Sequence, residues 1–529
     1  MKPLAMPFRG RRWLLAAVVL SLLLRLPFFG LPMISDEGGY AYVADRWLDG
    51  EGSLYHDLWV SRPQGIFVVY GLILEAPGSS IAGIRFGAWL ASVLTLVFVW
   101  RYARQWAGRG PAAVAGLTFV LIAAAPAIEG FTANAEVFMA LPSAAAAWLL
   151  LQQSRTGWSR RSLLLIGVLA GVAAMLKPSG LVMLLVAIAF AWLEGRASPR
   201  VATRLSGWLV AGFALALAPA LVHGWLLGWH DFVYAAISYR ITEQSSLTVG
   251  PFHHVIRLGA LVGDAWWLAL ALLIPFWGRQ RAMHGRLIVG LPGGVGGVAR
   301  ATLDPPSLLR RVQTGGRDPG GTLLRLWLLG CLAGMAMGGD WWAHYLIQIA
   351  GPLAIGLGVL IRDATLPPAP YRRLAVGAAV ALLLLAPYRV VALCDPDRIS
   401  LALFNNTGYP VADEVAAYVL THTTPKTTIY VAFNDASLYY LADRPATYRY
   451  FFNQELLALP ETETQLTAMI ESPGRPNVVI RTGMPAPFPD GGRAFWAAVH
   501  ANYRLERVVA GVIIYRAIEP PPVPSREAG

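Results

Sequence analysis

The chain has 529 residues, 56% of them hydrophobic and only 14% charged, with a mean hydropathy of +0.51, which excludes an ordinary soluble globular protein. Its formal net charge is +12, yet the arginines recur in short clusters between apolar runs, a pattern that excludes a nucleic-acid binder and marks membrane topology. Its two cysteines, Cys331 and Cys394, lie in or at the end of apolar runs, so neither a disulfide framework nor a thiolate metal site is expected.

The N-terminus, MKPLAMPFRGRRWLLAAVVLSLLLRLPFFG, has the basic start and apolar middle of a signal peptide but no small-residue cleavage site, and reads as an uncleaved first span. A spanning helix needs about 20 apolar residues. Candidates follow at 13–34, 81–100, 111–129, 134–152, 162–176, 178–194, 205–229, 255–277, 323–338, 344–361 and 374–393. The expected class is thus an all-α polytopic membrane protein of about 11–13 transmembrane helices. The two short candidates around Lys177 could equally form one kinked segment or a re-entrant pair.

Arginines in short loops stay on the cytoplasmic side. Arg9, Arg11 and Arg12 precede the first span, and clusters at Arg101–Arg109, Arg155–Arg161, Arg196–Arg204 and Arg362–Arg373 follow every second span. The long connection 278–322, rich in Arg, Gly and Pro, reads as an irregular cytoplasmic loop. This puts the N-terminus inside, and a first outer loop, 34–80, on the opposite side together with everything after about residue 394.

That outer loop begins ISDEGGYAYVADRWLDGEGSLYHDLWVSRPQG and carries six acidic residues. Asp36 and Glu37 fall where the first span emerges, and a charge at that interface costs less than one at the bilayer centre. Tyr40, Ala41, Val43, Ala44, Trp47 and Leu48 then mark an amphipathic helix suited to the membrane surface. A second carboxylate, Glu136, with Asn134 beside it, opens the fourth span on the same side. Its plain reading is a helix-start acid favoured by the macrodipole.

Cations collect on that side too: Arg62 before Pro63, Lys177 before Pro178, Arg240, and His253, His254 and His344. Lysine is nearly absent from the chain, so Lys177 is not one of many surface lysines, although a snorkelling side chain is the alternative. Cations of this kind beside a lipid head group neutralise phosphate. A carboxylate acting as general base on an acceptor hydroxyl, with cations stabilising a departing phosphate, fits a lipid-linked sugar phosphate as substrate. No Gly-rich phosphate loop, zinc-protease pair or nucleophile elbow occurs.

Beyond residue 394 the composition becomes that of a small soluble domain. VADEVAAYVLTHT places Val411, Val415, Tyr418 and Val419 on one helical face, TTIYVAF and NVVIRTG read as short buried strands, and RVVAGVIIYRA as a longer one. An outer α/β domain over 394–529 is expected, ending in a disordered Pro-rich tail.

Together these motifs resemble the bacterial GT-C glycosyltransferases of the protein-mannosyltransferase and aminoarabinose-transferase type, which take sugar from polyprenyl phosphate. They occur in the family's order: Asp36-Glu37 with Tyr40 and Ala41, LYHDLWVSRPQG, TANAEVFMALP, MLKPSG, HYLIQIAGPLAI with His344 and Tyr345, and SLYYLADRPATYRYFF in the outer domain. The resemblance implies that Asp36 is the catalytic base, that Glu136 is the second acid shaping the acceptor or metal site, and that Arg62 faces the lipid phosphate. Glu37, Tyr40, Asn134, Lys177, Arg240, His344 and Tyr345 are the further residues expected to bind donor or acceptor. The implied partners are a polyprenyl-phosphate sugar donor, an envelope acceptor and the bilayer, at the cytoplasmic membrane of a bacterium. A divalent cation, Mg or Mn, is used by some members and not others, with Asp36 and Glu136 its candidate ligands. Two departures stand out: Gly38 and Gly39 where relatives carry Arg, and Ser61-Arg62-Pro63-Gln64-Gly65 where relatives read Asn-Lys-Pro-Pro-Gly. A lipid-linked sugar flippase and a structural envelope subunit are the alternatives.

Overall fold

The computed structural model describes residues 8–76, 78–195, 198–246, 252–271, 318–364, 370–433 and 435–518. The expected cytoplasmic loop 278–322 lies outside these as far as residue 317, as do the end of the expected span 255–277 and the Pro-rich tail.

The membrane part is a helical bundle. In chain order it contains α1 (Phe8–Arg25), α2 (Ser35–Leu48), α3 (Gly65–Glu75), α4 (Ile81–Ala107), α5 (Arg109–Ala123), α6 (Ala135–Thr156), α7 (Arg160–Leu176), α8 (Val182–Glu194) and α9 (Pro199–Leu227). The helices His253–Asp264, Pro319–Ala336, Ile347–Ala364 and Pro370–Leu385 follow. Among the described residues, five apolar helical segments are long enough to cross a bilayer: α4, α6, α9, Ala343–Ile361 and Ala375–Leu393. Their ends are set locally. Ser80 and Ser159 cap α4 and α7 by accepting from the Gly83 and Ser162 amides at 3.1 and 3.2 Å. The expected break at Lys177 is real, for a 3-10 turn, Pro178–Leu181, separates α7 from α8. Between α7 and α9 the backbones nearly touch, since a Cβ on Gly167 would lie 2.1 Å from the Leu209 carbonyl oxygen and one on Gly212 2.1 Å from that of Leu164. Small residues permit this approach in a bilayer, where the hydrophobic effect does not press helices together.

One expectation for the first outer loop is corrected. The helix bearing Asp36 does not present an open amphipathic face: Tyr40 to Ala44 are all buried, because the C-terminal domain packs over it. The loop also holds a second helix, α3, whose 11-residue apolar run GIFVVYGLILE is too short to cross a bilayer.

The outer domain is built on a four-stranded mixed sheet of order β1-β2-β4-β3, from β1 (Ile429–Ala432), β2 (Val478–Arg481), β3 (Tyr503–Val509) and β4 (Val512–Ala517). β1 and β2 run parallel and the remaining pairs antiparallel. The single long strand expected in RVVAGVIIYRA is instead part of a hairpin, turning at Ala510 and Gly511, whose φ values are 47° and 85°. Two consecutive left-handed residues define the tight turn that suits strand twist. The helix Ala412–His422 buries Val415 and Val419 as its periodicity predicts.

Domain and bundle meet across α2. Ala436 donates its amide to Ser35 Oγ at 3.0 Å, Ala446 donates to the Tyr42 hydroxyl at 2.8 Å, and Arg46 meets Asp443 at 2.5 Å. Gly38 and Gly39 make the seam possible: a Cβ would stand 2.3 Å from Ser437 Cα at the first and 2.5 Å from Phe452 Cζ at the second. The departure from the family's Arg is therefore matched by an outer domain seated where that side chain would have to be.

Candidate active site

A cavity of about 1280 Å³ lies beneath the outer domain. Its walls come from distant parts of the chain, including Asp36, Arg62, Glu129, Arg240, His344 and, from the C-terminal domain, Asn453.

Asp36 occupies the first turn of α2 and is partly buried, with no hydrogen-bond partner among the described residues. Burial holds its carboxyl above the usual aspartate range, opposed by Arg62 and His344 and reinforced by Glu129 and Glu136. A raised, unpartnered carboxylate beside cations is a suitable general base.

Arg62 is fixed from several sides. Its Nε donates to the Tyr40 hydroxyl at 3.0 Å and its Nη1 to the Ser61 carbonyl at 3.1 Å, while Tyr55 donates to its carbonyl at 3.0 Å. Nη2 keeps no protein partner among the described residues, which leaves a donor for an anion. Arg240 donates to the same Ser61 carbonyl, Nε at 3.0 Å and Nη2 at 2.5 Å. The SRPQG segment thus gathers two guanidinium groups at one wall. Arg257, not anticipated from the sequence, adds a third, stacked 4.3 Å from the Trp342 ring centre and bonded through Nε to the Asp340 carbonyl at 2.7 Å.

Glu136 and Lys177 form an ion pair buried between α6 and the 3-10 turn, and the Lys177 ammonium lies 3.8 Å from the Tyr345 ring centre. Neither Glu136 nor Lys177 lines the cavity, and Tyr345 does. The ammonium stands where a divalent cation shared by Asp36 and Glu136 would need a free carboxylate, so these residues do not fit the expected metal site. Among the described residues no group of three or more His, Cys, Asp or Glu side chains is arranged to hold a metal.

His344 lies between two acids, its Nδ1 3.1 Å from Glu129 Oε2 and its Nε2 3.7 Å from Glu136 Oε1. Asn134 donates Nδ2 to the same Glu129 oxygen at 2.9 Å, while its buried Oδ1 has no partner. His253 reaches the cavity with Nε2 3.5 Å from Asp340 Oδ1, whereas His254 accepts from the Trp341 indole at 3.3 Å and does not line it.

One assignment is corrected. Glu37, expected on the substrate, is fully buried and faces away from the cavity. Its oxygens accept from Arg85 at 3.0 and 2.7 Å and from the Ala133 amide at 3.0 Å. Arg85 also donates to the carbonyls of Phe28, Leu31 and Pro32 at 2.7, 2.8 and 3.0 Å. A buried charge is tolerable only when satisfied in this way. Glu37 is therefore the clamp that sets the start of α2 and so places Asp36.

Comparison with known proteins bears on the family and the fold. Residues 61–224 match the family model described as dolichyl-phosphate-mannose-protein mannosyltransferase. The chain is similar in structure to ArnT from Cupriavidus metallidurans bound to undecaprenyl phosphate, with a TM-score of 0.58 and 14% identity over 95% of this chain and 98% of that one. It also resembles the archaeal oligosaccharyltransferase AglB from Archaeoglobus fulgidus in complex with an inhibitory peptide and a dolichol-phosphate, with a TM-score of 0.53 and 13% identity over 90% of this chain and 69% of that one. No curated protein sequence matches the chain significantly. The protein is a multi-pass membrane protein with the GT-C fold, and the resemblance read from its motifs is borne out. The family match and the shared fold indicate a glycosyltransferase.

Proposed function

We propose that the protein is an inverting glycosyltransferase. In this reading it moves a sugar from polyprenyl phosphate to an envelope acceptor at the outer face of the cytoplasmic membrane, with Asp36 as general base. The observation that carries this is the unpartnered, partly buried Asp36 carboxylate in a large cavity that Arg62 and Arg240 also line. The undecaprenyl phosphate in the ArnT complex and the dolichol-phosphate in the AglB complex supply the donor class.

In the proposed reaction Asp36 takes the proton of an acceptor hydroxyl as its oxygen attacks the anomeric carbon from the face opposite the phosphate. The bond from that carbon to the phosphate oxygen breaks, and its electron pair stays on the lipid phosphate. Arg62, Arg240 and His344 offset the charge that gathers there. A single displacement inverts the anomeric centre. Phosphate leaves readily, so no general acid is needed.

The test is reconstitution in liposomes with labelled polyprenyl-phosphate sugars and a total envelope extract as acceptor. Label that passes from lipid to acceptor supports the transferase. Labelled lipid that crosses the bilayer with no transfer to any acceptor contradicts it and favours a flippase.

A further inference from the structure

We propose that Glu129 is the positioning residue of the cavity, a carboxylate that holds the cavity-lining His344 imidazole in the orientation in which it meets substrate and is itself held by the buried Asn134 amide. The proposal rests on the transferase reading above and extends it to a residue that the motif resemblance did not mark.

Glu129 adopts left-handed backbone, with φ 55° and ψ 29°. Such a conformation costs roughly 1 kcal/mol or more for a residue other than glycine, and here the glycine is the next residue, Gly130, rather than this one. The surroundings impose it. The Glu129 amide donates to the Pro126 carbonyl at 3.0 Å, the Gly130 amide donates to the Ala125 carbonyl at 3.0 Å, and the Thr132 amide and hydroxyl donate to the Glu129 carbonyl at 3.0 and 2.8 Å. From α1 the buried Arg25 reaches across to the carbonyls of Ala123 and Gly130 at 2.7 and 3.1 Å. Strain retained under such constraint concentrates at functional sites.

The strain places a carboxylate at the cavity wall, where one oxygen, Oε2, takes both the His344 and the Asn134 bonds. Two consequences follow from donor and acceptor chemistry alone. A carboxylate only accepts, so His344 presents N–H at Nδ1 and turns Nε2 toward Glu136. Asn134 must turn its NH₂ to Glu129, which fixes Oδ1 as a free, buried acceptor. Glu136 cannot do this work, since Lys177 neutralises it away from the cavity.

The test compares wild type with Glu129→Gln, Glu129→Gly, His344→Ala and the double variant Glu129→Gln/His344→Ala, reading transfer, binding of labelled polyprenyl phosphate and thermal unfolding. Losing a charge-assisted bond should lower kcat/KM in Glu129→Gln about ten- to hundred-fold with little change in melting. Glu129→Gly, freed of the backbone strain, should melt no lower than Glu129→Gln while being equally impaired. Adding Glu129→Gln to His344→Ala should cost far less than Glu129→Gln alone, because the group it positions is gone. Wild-type transfer rates in Glu129→Gln, or full additivity of the two substitutions, would overturn the proposal. If wild type itself transfers nothing, the transferase reading fails and binding decides here: weakened lipid binding in Glu129→Gln upholds the positioning role, and unchanged binding rejects it.

Discussion

Glu37 meets Arg85 through both carboxylate oxygens, Oε1 3.0 Å from Nε and Oε2 2.7 Å from Nη2, and neither side chain exposes any surface. The pair ties the first turn of α2 to α4. Because Asp36 is the residue before Glu37, an ion pair buried away from the cavity sets where the proposed base stands.

Breaking that pair should therefore damage the fold before the chemistry. Arg85→Ala strands a buried carboxylate and three carbonyls and should destabilise by about 3–5 kcal/mol. Thermal unfolding of the purified protein in detergent checks this, and an unchanged melting temperature for Arg85→Ala would contradict the assignment.

The seam between α2 and the outer domain makes a second prediction, with an order of severity. Gly38→Ala drives a methyl group into the Ser437 backbone, 2.3 Å from its Cα, whereas Gly39→Ala meets the edge of the Phe452 ring at 2.5 Å. Rings can rotate aside and backbone cannot. Gly38→Ala should therefore loosen the outer domain more, seen as faster limited proteolysis after residue 394, and the reverse order would count against this seam.

The pH dependence of transfer follows from Asp36. The base works only when ionised, and burial in the cavity raises its pKa. Activity should accordingly rise with pH along an acid limb whose midpoint lies above the ordinary aspartate value of 3.8. A pH profile of kcat/KM with a limb at the unperturbed value would contradict the buried environment.

Asp435 gives a stability prediction of the opposite sign to the usual acid effect. It is buried in the outer domain with φ 96°, its Oδ2 has no partner, and burial pushes its carboxyl from 3.8 up to about 6, against the hydrogen bonds from Ser437. A raised folded pKa means the native state binds more protons than the unfolded chain between those values. Its contribution is thus greatest below pH 4 and is lost as pH rises through 6. Asp435→Asn, which also suits left-handed backbone, should stabilise the protein at pH 7 by about 1–3 kcal/mol and flatten that dependence. Denaturant melts at pH 4 and pH 7 would show it.

Much of this was legible because bilayers and helices impose short-range rules. Apolar run length located most of the helices, and the Asp36, Arg62, Glu136, Lys177 and His344 motifs converge on one region of the structure. What stayed hidden depends on contacts distant in sequence. Glu37 and Arg85 are 48 residues apart, and nothing local distinguishes a clamped acid from a solvated one. Glu129 sits within the acidic stretch EGFTANAE, but the turn that holds its left-handed backbone is tied down in part by Arg25, 105 residues away from the Gly130 carbonyl it bonds. The pair Gly38-Gly39 read as a loss of charge, because the domain that occupies the space is about 400 residues further on. Only the hairpin turn left a local trace, the Ala510-Gly511 step inside an otherwise strand-like run.

The central claim is that Asp36 removes the acceptor's proton. Asp36→Asn preserves the shape of the side chain and removes the base, so the most direct measurement is single-turnover transfer from labelled polyprenyl-phosphate sugar by wild type and Asp36→Asn at equal donor occupancy. The account predicts donor binding within a few-fold of wild type and transfer slowed by about 10²–10⁴. Transfer by Asp36→Asn at the wild-type rate would contradict it.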